Sequence, residues 1–359
     1  MIRSGPVVAR ILVVVCALAG CDRVFGLERD HGVGPRSVLH LDHIAPAETL
    51  TDFPLLVVLD DTRAARELMQ PGAADLRFYD AAGDVIPHQI EQLGSPGGAP
   101  LVAWVRVPEI IGASTSIAVD YARPQMPPPA SASVWSDSYV AVWHLGATLA
   151  DATTNQHEGI AFGTTAVPGL IGEARQFDPV GQNAIQVPFS AGFQTRELTV
   201  SGWMFQRTRP ALGFEGLLTH EVAATGANDL YVGTESDGVI AEIATGPPNV
   251  NLSRPAPPLH SWYQVTLVAA IGDPGVRLYI DGELVGSDVA SHDVTLDTSP
   301  FYIGADCNGC TVTPDSDFMD GMIDEVRYEK TARTSAWIAV DHASALDQAI
   351  SYGPVDPSP

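Results

Sequence analysis

Two residue pairs in this chain have types and spacing that invite chemistry. His88 with Glu91 would make a general acid and base, and Cys307 with Cys310 has the spacing of a redox dithiol or of half a zinc site. Geometry removes the first. Val85 to Ile90 reads as a strand, and residues three apart on an alternating strand point to opposite faces. The dithiol reading needs the start of a helix in a βαβ setting, and nothing from Asp306 to Thr311 has a helical pattern. A zinc site needs two further ligands, and the chain has no second such cysteine pair. His220-Glu221-Val222-Ala223-Ala224 begins like a zinc-protease helix but has alanine where the second histidine must stand. There is no Gly-x-Ser-x-Gly elbow and no phosphate loop. Asn251-Leu252-Ser253 fits a glycosylation acceptor.

A different chemistry is written near the start. Arg3 and Arg10, the apolar run Ile11 to Leu18, and then Leu18-Ala19-Gly20-Cys21 follow the order of a secretory signal peptide. The apolar run is far shorter than the roughly 20 residues that span a bilayer. With cysteine at the cut site, the segment resembles a bacterial lipoprotein signal. That resemblance implies that Cys21 is lipidated and becomes the first residue of the mature chain, and that Asp22 is similar to the enterobacterial signal for inner-membrane retention. The expected place is the cell envelope, lipid-anchored to a bacterial membrane and facing the periplasm or the exterior. Cys16 then leaves with the leader and Cys21 carries lipid. Cys307 and Cys310, around the turn-forming Asn308-Gly309, are expected as a loop disulfide in an oxidising compartment.

At 359 residues and 45% apolar content, the chain is long and apolar enough for two ordinary domains with real cores. Its net charge is −24, and losing residues 1–20 removes Arg3 and Arg10, which brings it to −26. Such a charge repels nucleic-acid phosphates and anionic headgroups. Nucleic acid is excluded as a partner; neutral, cationic or cation-bridged ligands fit better.

The elements that must position these residues are almost all strands. Residues 21–37 read as a lipidated tether, and residues 38–122 as a small β domain. Its strand signals run Val38 to Leu41, Leu55 to Leu59, Leu76 to Tyr79, Val85 to Ile90, Leu101 to Val107 and Ile117 to Tyr121. One short helix is expected over Thr62 to Met69. Asp52 to Val57, Ala74 to Phe78, Ile86 to Glu91, Trp104 to Pro108 and Val119-Asp120-Tyr121 resemble a bacterial extracellular domain family of unknown function that often precedes concanavalin-like modules. Residues 123–133, with Pro124 and Pro127 to Pro129, read as a stiff spacer.

From 134 to 346 short strands recur with turn residues between them, the pattern of an antiparallel sandwich with jelly-roll connections. In Val276 to Val285 two strand-like runs meet at Asp281-Gly282, a dipeptide that supplies positive φ cheaply, so a hairpin is expected there. A helix is expected over Thr334 to Ala343, and residues 347–359 as a tail. The fold class is therefore all-β: a small N-terminal β domain followed by a β-sandwich. Val142-Trp143-His144-Leu145, Asp151 to Gly159, Gly172 to Asp178, Leu198 to Met204, Trp262 to Thr266, the Asp281-Gly282 hairpin, Phe301 to Gly304 and Asp320 to Tyr328 occur in the order of the laminin G-like, concanavalin A-like lectin and glucanase superfamily, which this part of the chain resembles.

That resemblance implies a concanavalin A-like/laminin G-like jelly roll with a calcium ion at one rim, for which Asp178 and Asp324 stand at the matching positions. It also implies a glycan site built from stacked aromatic and polar groups. Asp151, Asn155, His157, Tyr231 and Trp262 are the ligand-binding candidates, with Trp135 and His260 beside them. Trp143 and Trp203 lie in strand patterns and belong to the core. Of the adjacent Trp262 and Tyr263, alternation exposes one. The related glucanases use two glutamates around an aspartate on one strand; Asp324-Glu325 and Glu329 lack that order, and strand neighbours face opposite ways, whereas retaining hydrolysis needs two carboxyls about 5 Å apart on one side. The expected function is a non-enzymatic, membrane-anchored lipoprotein whose sandwich binds a glycan or an extracellular or envelope protein with calcium as the implied cofactor. An envelope scaffold and a glycoside hydrolase are the alternatives.

Overall fold

Residues Leu50–Leu59 and Leu101–Ile110 are apolar on both faces, and that double face decides how the molecule is built. Leu55, Val57, Leu59, Ala103, Val105 and Val107 point into one core, while Leu56, Val102 and Trp104 point the other way into a second. A strand buried on both sides must be the middle layer of something. The computed structural model describes residues 36–122, 130–210, 213–222, 227–236, 238–245, 249–308 and 313–356. The leader with Cys16 and Cys21, the proline run of the spacer, and Cys310 lie outside the described residues.

The N-terminal body holds β1 (Arg36–His40), β2 (Leu50–Leu59), β3 (Arg77–Tyr79), β4 (Val85–Ile86), β5 (His88–Gln92), β6 (Leu101–Ile110) and β7 (Ser116–Asp120). The sandwich begins with β8 (Tyr139–Trp143), β9 (Ile160–Phe162), β10 (Thr165–Pro168), β11 (Glu173–Phe177) and β12 (Ala184–Val187). It continues with β13 (Leu198–Gln206), β14 (Phe214–Val222), β15 (Ala227–Glu235), β16 (Gly238–Ile243) and β17 (Val250–Pro255). β18 (Trp262–Ala269), β19 (Gly272–Ile280), β20 (Glu283–Ala290), β21 (Phe301–Ile303) and β22 (Gly321–Glu329) complete it. α1 (Ser335–Ala345) and β23 (Ser351–Tyr352) follow.

The sandwich has a front sheet in the order β10-β11-β22-β13-β18-β19-β20, with β8 also on β22, and a back sheet in the order β17-β16-β15-β14-β21-β12-β9. Between them lies a core that includes Trp143, Phe177, Phe193, Val200, Leu218, Val265 and Phe301. The hairpin at Asp281-Gly282 forms as expected, with φ of 50° and 78° at its two turn residues. In the N-terminal body the order β2-β6-β5 packs on β23-β1-β7-β3-β4. The outer face of β2-β6-β5 then lies on the outer face of the front sheet, where Leu56, Val102 and Trp104 meet Trp135, Tyr139, Val142 and Trp203. The two bodies thus meet through one apolar layer, and the small sheet separates it from the core of the N-terminal body.

Three expectations change. Thr62 to Met69 is a turn followed by a single 3-10 turn at Arg66–Leu68. The Asp60 carboxylate accepts from the Thr62 and Arg63 amides, the Ala65 amide donates to the Tyr121 hydroxyl, and the Arg66 guanidinium is drawn onto Asp61 and the Ala99 carbonyl. These local partners outcompete an α-helical ladder. The C-terminal helix runs Ser335–Ala345, capped by the Thr334 hydroxyl, which accepts from the Trp337 amide. Residues beyond 346 are not a tail, and the N-terminal body is not closed at 122: β23 pairs with β1, with Leu39 opposite Tyr352. Ala349 and Ile350, with Trp337 and Val340 of α1, are buried in the N-terminal core. Trp337 stands edge-on to Phe53 at 4.8 Å. The chain returns because the apolar face of the first sheet is otherwise uncovered.

Ile350→Ala is expected to lower stability in urea unfolding by about 2–5 kcal/mol, the range for emptying a core position of this size. Truncation after Leu346 is expected to cost more, since it also removes β23 and the Tyr352 hydroxyl that accepts from the Val58 amide.

Candidate functional site

Where β5 of the N-terminal body meets β8 and the loop after it, a cleft of about 500 Å³ opens, lined by Gln89, Glu91, Gln92, His144, Thr148 and Glu173 among others. Three of the groups at or under its floor come together through irregular strands. Ile90 pairs with Ala103 and Gln92 with Val102, which makes Glu91 an extra residue in β5. On β22, Ser201 pairs with Arg327 and Trp203 with Asp324, so that strand also holds an extra residue, and Glu325 there has φ of 52°. A bulge re-aims a side chain that plain alternation would send to the other face. Glu91 therefore turns towards the sandwich and Glu325 outwards from it, and both reach His144.

His144 Nδ1 is 2.7 Å from Glu325 Oε1 and 3.2 Å from Glu91 Oε2. Arg327, 4% exposed, donates to Glu325 at 3.1 Å and to Asp341 of α1 at 2.8 Å. Its guanidinium also lies 4.4 Å from the centre of the Trp104 ring and 5.2 Å from that of Trp135. Gln264 donates to the other oxygen of Asp341. Burial pushes the Glu91 carboxyl up to about 7, against the pull of His144. Burial alone would lower His144, but Glu325 and Glu91 raise it above the usual imidazole value. Glu325 is held below the carboxylate range, because His144 and Arg327 outweigh its burial. Burial and then the neighbouring Glu325 push the Asp324 carboxyl well above the usual carboxylate value. The arrangement keeps ionised groups paired and places one carboxyl, Glu91, near its titration point at the cleft.

The residues nominated from sequence are distributed differently. Asp324 is fully buried, its Oδ2 accepting from the Leu170 and Ile171 amides. Asp178 is exposed and closes a turn by accepting from the Val180 amide. Phe177 pairs with Gly321 and Arg175 with Ile323, so Asp324 stands about 13 Å up the strand from the level of Asp178, at roughly 3.3 Å per residue. These two residues do not fit one calcium ion. Asp151 is consumed by its own loop, accepting from the Val142, Thr153 and His157 amides and the Thr153 hydroxyl. The Asn155 amide donates to the Tyr139 and Val140 carbonyls. His157 is half-buried against Phe193 at 4.6 Å, and burial lowers its pKa. Tyr231 is buried beside Phe214, and burial raises its hydroxyl well above the usual value. Trp262 is half-buried at the edge of the inter-body core against Phe205, while Tyr263 is buried and donates to Gln206. Trp135 is buried in the inter-body core, His260 is exposed, and Trp143 and Trp203 are buried. The expected rim site is thus not assembled: its loop must first satisfy its own backbone.

His88 faces the N-terminal core against Phe78 at 5.3 Å, and burial with Arg77 pushes it down to about 4, so it does not meet Glu91. Glu329 is buried with Arg333 at 2.5 Å, and burial raises it to about 7. Cys307 is buried and disulfide-bonded. Reading Asp324 and Glu325 as pointing to opposite faces of a regular strand needs correction, since the left-handed residue at 325 interrupts it. His144 stood in the aromatic strand motif and Glu91 in the first-domain motif, but no sequence pattern marks a bulge made by a glutamate.

Residues 180–339 match the family model of the concanavalin A-like lectin/glucanases superfamily. The sandwich is a concanavalin A-like/laminin G-like jelly roll. No curated protein matches the chain. Among solved structures it is similar to domain 4 of AbnA, a GH43 extracellular arabinanase from Geobacillus stearothermophilus in complex with arabinotriose. The identity is 19% over 57% of this chain and 98% of that one, with a TM-score of 0.46. It is also similar to the binding domain of Paraclostridial Mosquitocidal Protein 1, at 12% identity over 58% of this chain and 52% of that one, TM-score 0.45. A structure of botulinum neurotoxin type C matches at 14% identity over 58% of this chain and 52% of that one, TM-score 0.47. The chain thus spans about half the length of these two toxin chains.

Two outcomes follow for the buried network. Glu91 and His144 both bind protons more tightly folded than unfolded, so from about pH 4.5 to 7 the native state holds more protons and stability falls as pH rises. Glu91→Gln is expected to flatten that slope in urea titrations run from pH 5 to 8. Arg327→Met leaves Glu325 and Asp341 buried without their cation and is expected to cost about 3–5 kcal/mol, with much of the loss recovered by adding Glu325→Gln.

Proposed function

We propose that this protein is a non-catalytic carbohydrate-binding protein, lipid-anchored through Cys21 to a bacterial envelope, that takes a glycan in the cleft between its two bodies. The observation that carries this reading is the cleft itself. Its lining offers carboxylates at Glu91 and Glu173, amides at Gln89 and Gln92 and a hydroxyl at Thr148, in a volume of about 500 Å³. A sugar presents closely spaced hydroxyls that both donate and accept, and convergent polar groups of this kind fix such a ligand's orientation. The acidic side chains of Glu91 and Glu173 favour neutral or amine-bearing sugars over uronic acids and sulfated chains. The concanavalin A-like fold supports a binding role by analogy, since one fold hosts both lectins and hydrolases.

Burial supports the non-catalytic reading. At the cleft the carboxylates of Glu91 and Glu325 lie within 4.8 Å, close enough for a retaining pair, but the Glu325 side chain is 1% exposed and engaged by His144 and Arg327. A sugar ring would have to displace both to reach it, and an unreachable nucleophile does not attack. The N-terminal body is then part of the site rather than a spacer, because it supplies one wall.

The test is a glycan array followed by polysaccharide pull-down with the full chain in detergent. Retention on at least one neutral or amino-sugar polymer is expected, and Thr148→Arg, which fills the cleft mouth, is expected to weaken it at least tenfold with the melting temperature unchanged. Equal retention by the variant, or none by either, overturns the assignment. Release of reducing sugar that Glu91→Gln abolishes would overturn the non-catalytic part.

A further inference from the structure

On the back sheet, away from the cleft, a histidine and two aspartates converge from separate segments. Their ligand atoms lie within 4.8 Å of one another. His220 comes from β14 and Asp229 from β15, while Asp297 lies in the stretch ahead of β21. The local backbone explains how they meet. His220 points into the sandwich against Phe301 at 4.6 Å. Its strand partner is Leu230, and Glu221 pairs with Asn228, so Asp229 is an extra residue in β15. As with Glu91 and Glu325, the bulge turns a carboxylate towards a face it would otherwise leave.

The ring is arranged as a ligand. Its side chain is fully buried, and Nε2 is 3.1 Å from the Ser299 carbonyl. A carbonyl only accepts, so the proton sits on Nε2 and Nδ1 carries a bare lone pair. Nδ1 has no hydrogen-bond partner among the described residues, yet it faces Asp229 Oδ2 at 3.6 Å. Burial lowers the pKa of this histidine, which keeps it neutral, and burial also raises Asp229. Backbone amides fix both carboxylates beside the ring: Asp229 Oδ2 accepts from the Asp297 amide at 3.0 Å, and Asp297 Oδ1, 3.5 Å from Nε2, accepts from the Ser299 amide at 2.6 Å. The lone pair left on Nδ1 still faces a carboxylate oxygen, and a cation between them makes that contact favourable. Ligand atoms on one tetrahedral metal with bonds of roughly 2.1 Å sit about 3.4 Å apart, near the 3.6 Å between Nδ1 and Asp229 Oδ2, with the Asp297 carboxylate completing a group within 4.8 Å. A metal-bound histidine characteristically donates its other ring N–H to a backbone carbonyl or carboxylate, which is the part Ser299 plays.

We propose that His220, Asp229 and Asp297 bind one divalent transition-metal cation of the zinc class, which pins the β14–β15 end to the segment ahead of β21. One nitrogen with two carboxylates suits zinc or manganese better than calcium, which takes roughly six to eight oxygens. The other His–carboxylate group, at Glu91, His144 and Glu325, has no such need. There Nδ1 already lies between two carboxylates at 2.7 and 3.2 Å, and Arg327 supplies the positive charge. This site is independent of the glycan cleft and does not rest on it.

The full chain, prepared without a histidine tag and stripped with EDTA, is titrated with zinc chloride by calorimetry, and metal content is checked by mass spectrometry after dialysis. One equivalent is expected at micromolar affinity or tighter, with a rise in melting temperature. Asp297→Asn, at a side chain 34% exposed, is expected to weaken binding at least tenfold while leaving the metal-free melting temperature unchanged. His220→Gln is expected to abolish it. No binding, binding that neither variant alters, or binding of calcium in preference to zinc and manganese overturns the proposal.

Discussion

A single buried guanidinium holds the architecture in register. Arg327 leaves the front sheet, pairs with Glu325 on its own strand and Asp341 on α1, and lies over two tryptophans, one from each side of the contact between the bodies. A buried ion pair is weak grounds for stability, because desolvation offsets most of the attraction. Its geometric demand is strong, however, since the planar guanidinium pairs with Glu325 and Asp341 and lies over Trp104 only when strand, helix and N-terminal body are all in place. That demand ties α1 to the sheet, and α1 carries Trp337 into the core of the N-terminal body. The cleft, the position of Glu91 and the return of the chain to β1 all follow from it.

The second recurring device is the bulge. Glu91, Glu325 and Asp229 are each placed by an irregular step in strand pairing, and each then meets a histidine that a regular strand would have kept from it. An inserted residue disturbs the ladder locally and is retained where its side chain has a use. The outcome differs between the two places: at His144 the charges are balanced by Arg327, while at His220 a lone pair and a carboxylate face each other.

Most of the fold is legible in the chain because β structure advertises itself locally. Leu198–Gln206 and Trp262–Ala269 lie where β-branched and aromatic runs predict strands, Gly321–Glu329 where the family resemblance places its closing motif, and Asp281-Gly282 turns where its φ preference says it should. The same reasoning misplaced the binding candidates. Asp151 and Asn155 have the chemistry of ligands, but each spends hydrogen bonds on backbone of its own loop and strand, and Asp324 is buried with one oxygen held by the Leu170 and Ile171 amides. Side-chain type reports what a residue is able to bind. Whether that capacity is left over depends on the loop's own amides, which no spacing rule reveals.

Local pattern was enough for many of the strands, the hairpin, the C-terminal helix and the all-β class, since each depends on propensity and alternation within about ten residues. Long-range packing settled the rest: that residues after 346 complete the first body, that its small sheet is the middle layer, and that carboxylates from β5 and β22 share one imidazole. These outcomes depend on contacts between residues more than a hundred positions apart, whose free energy is set by burial and charge balance across the whole molecule rather than by any segment alone.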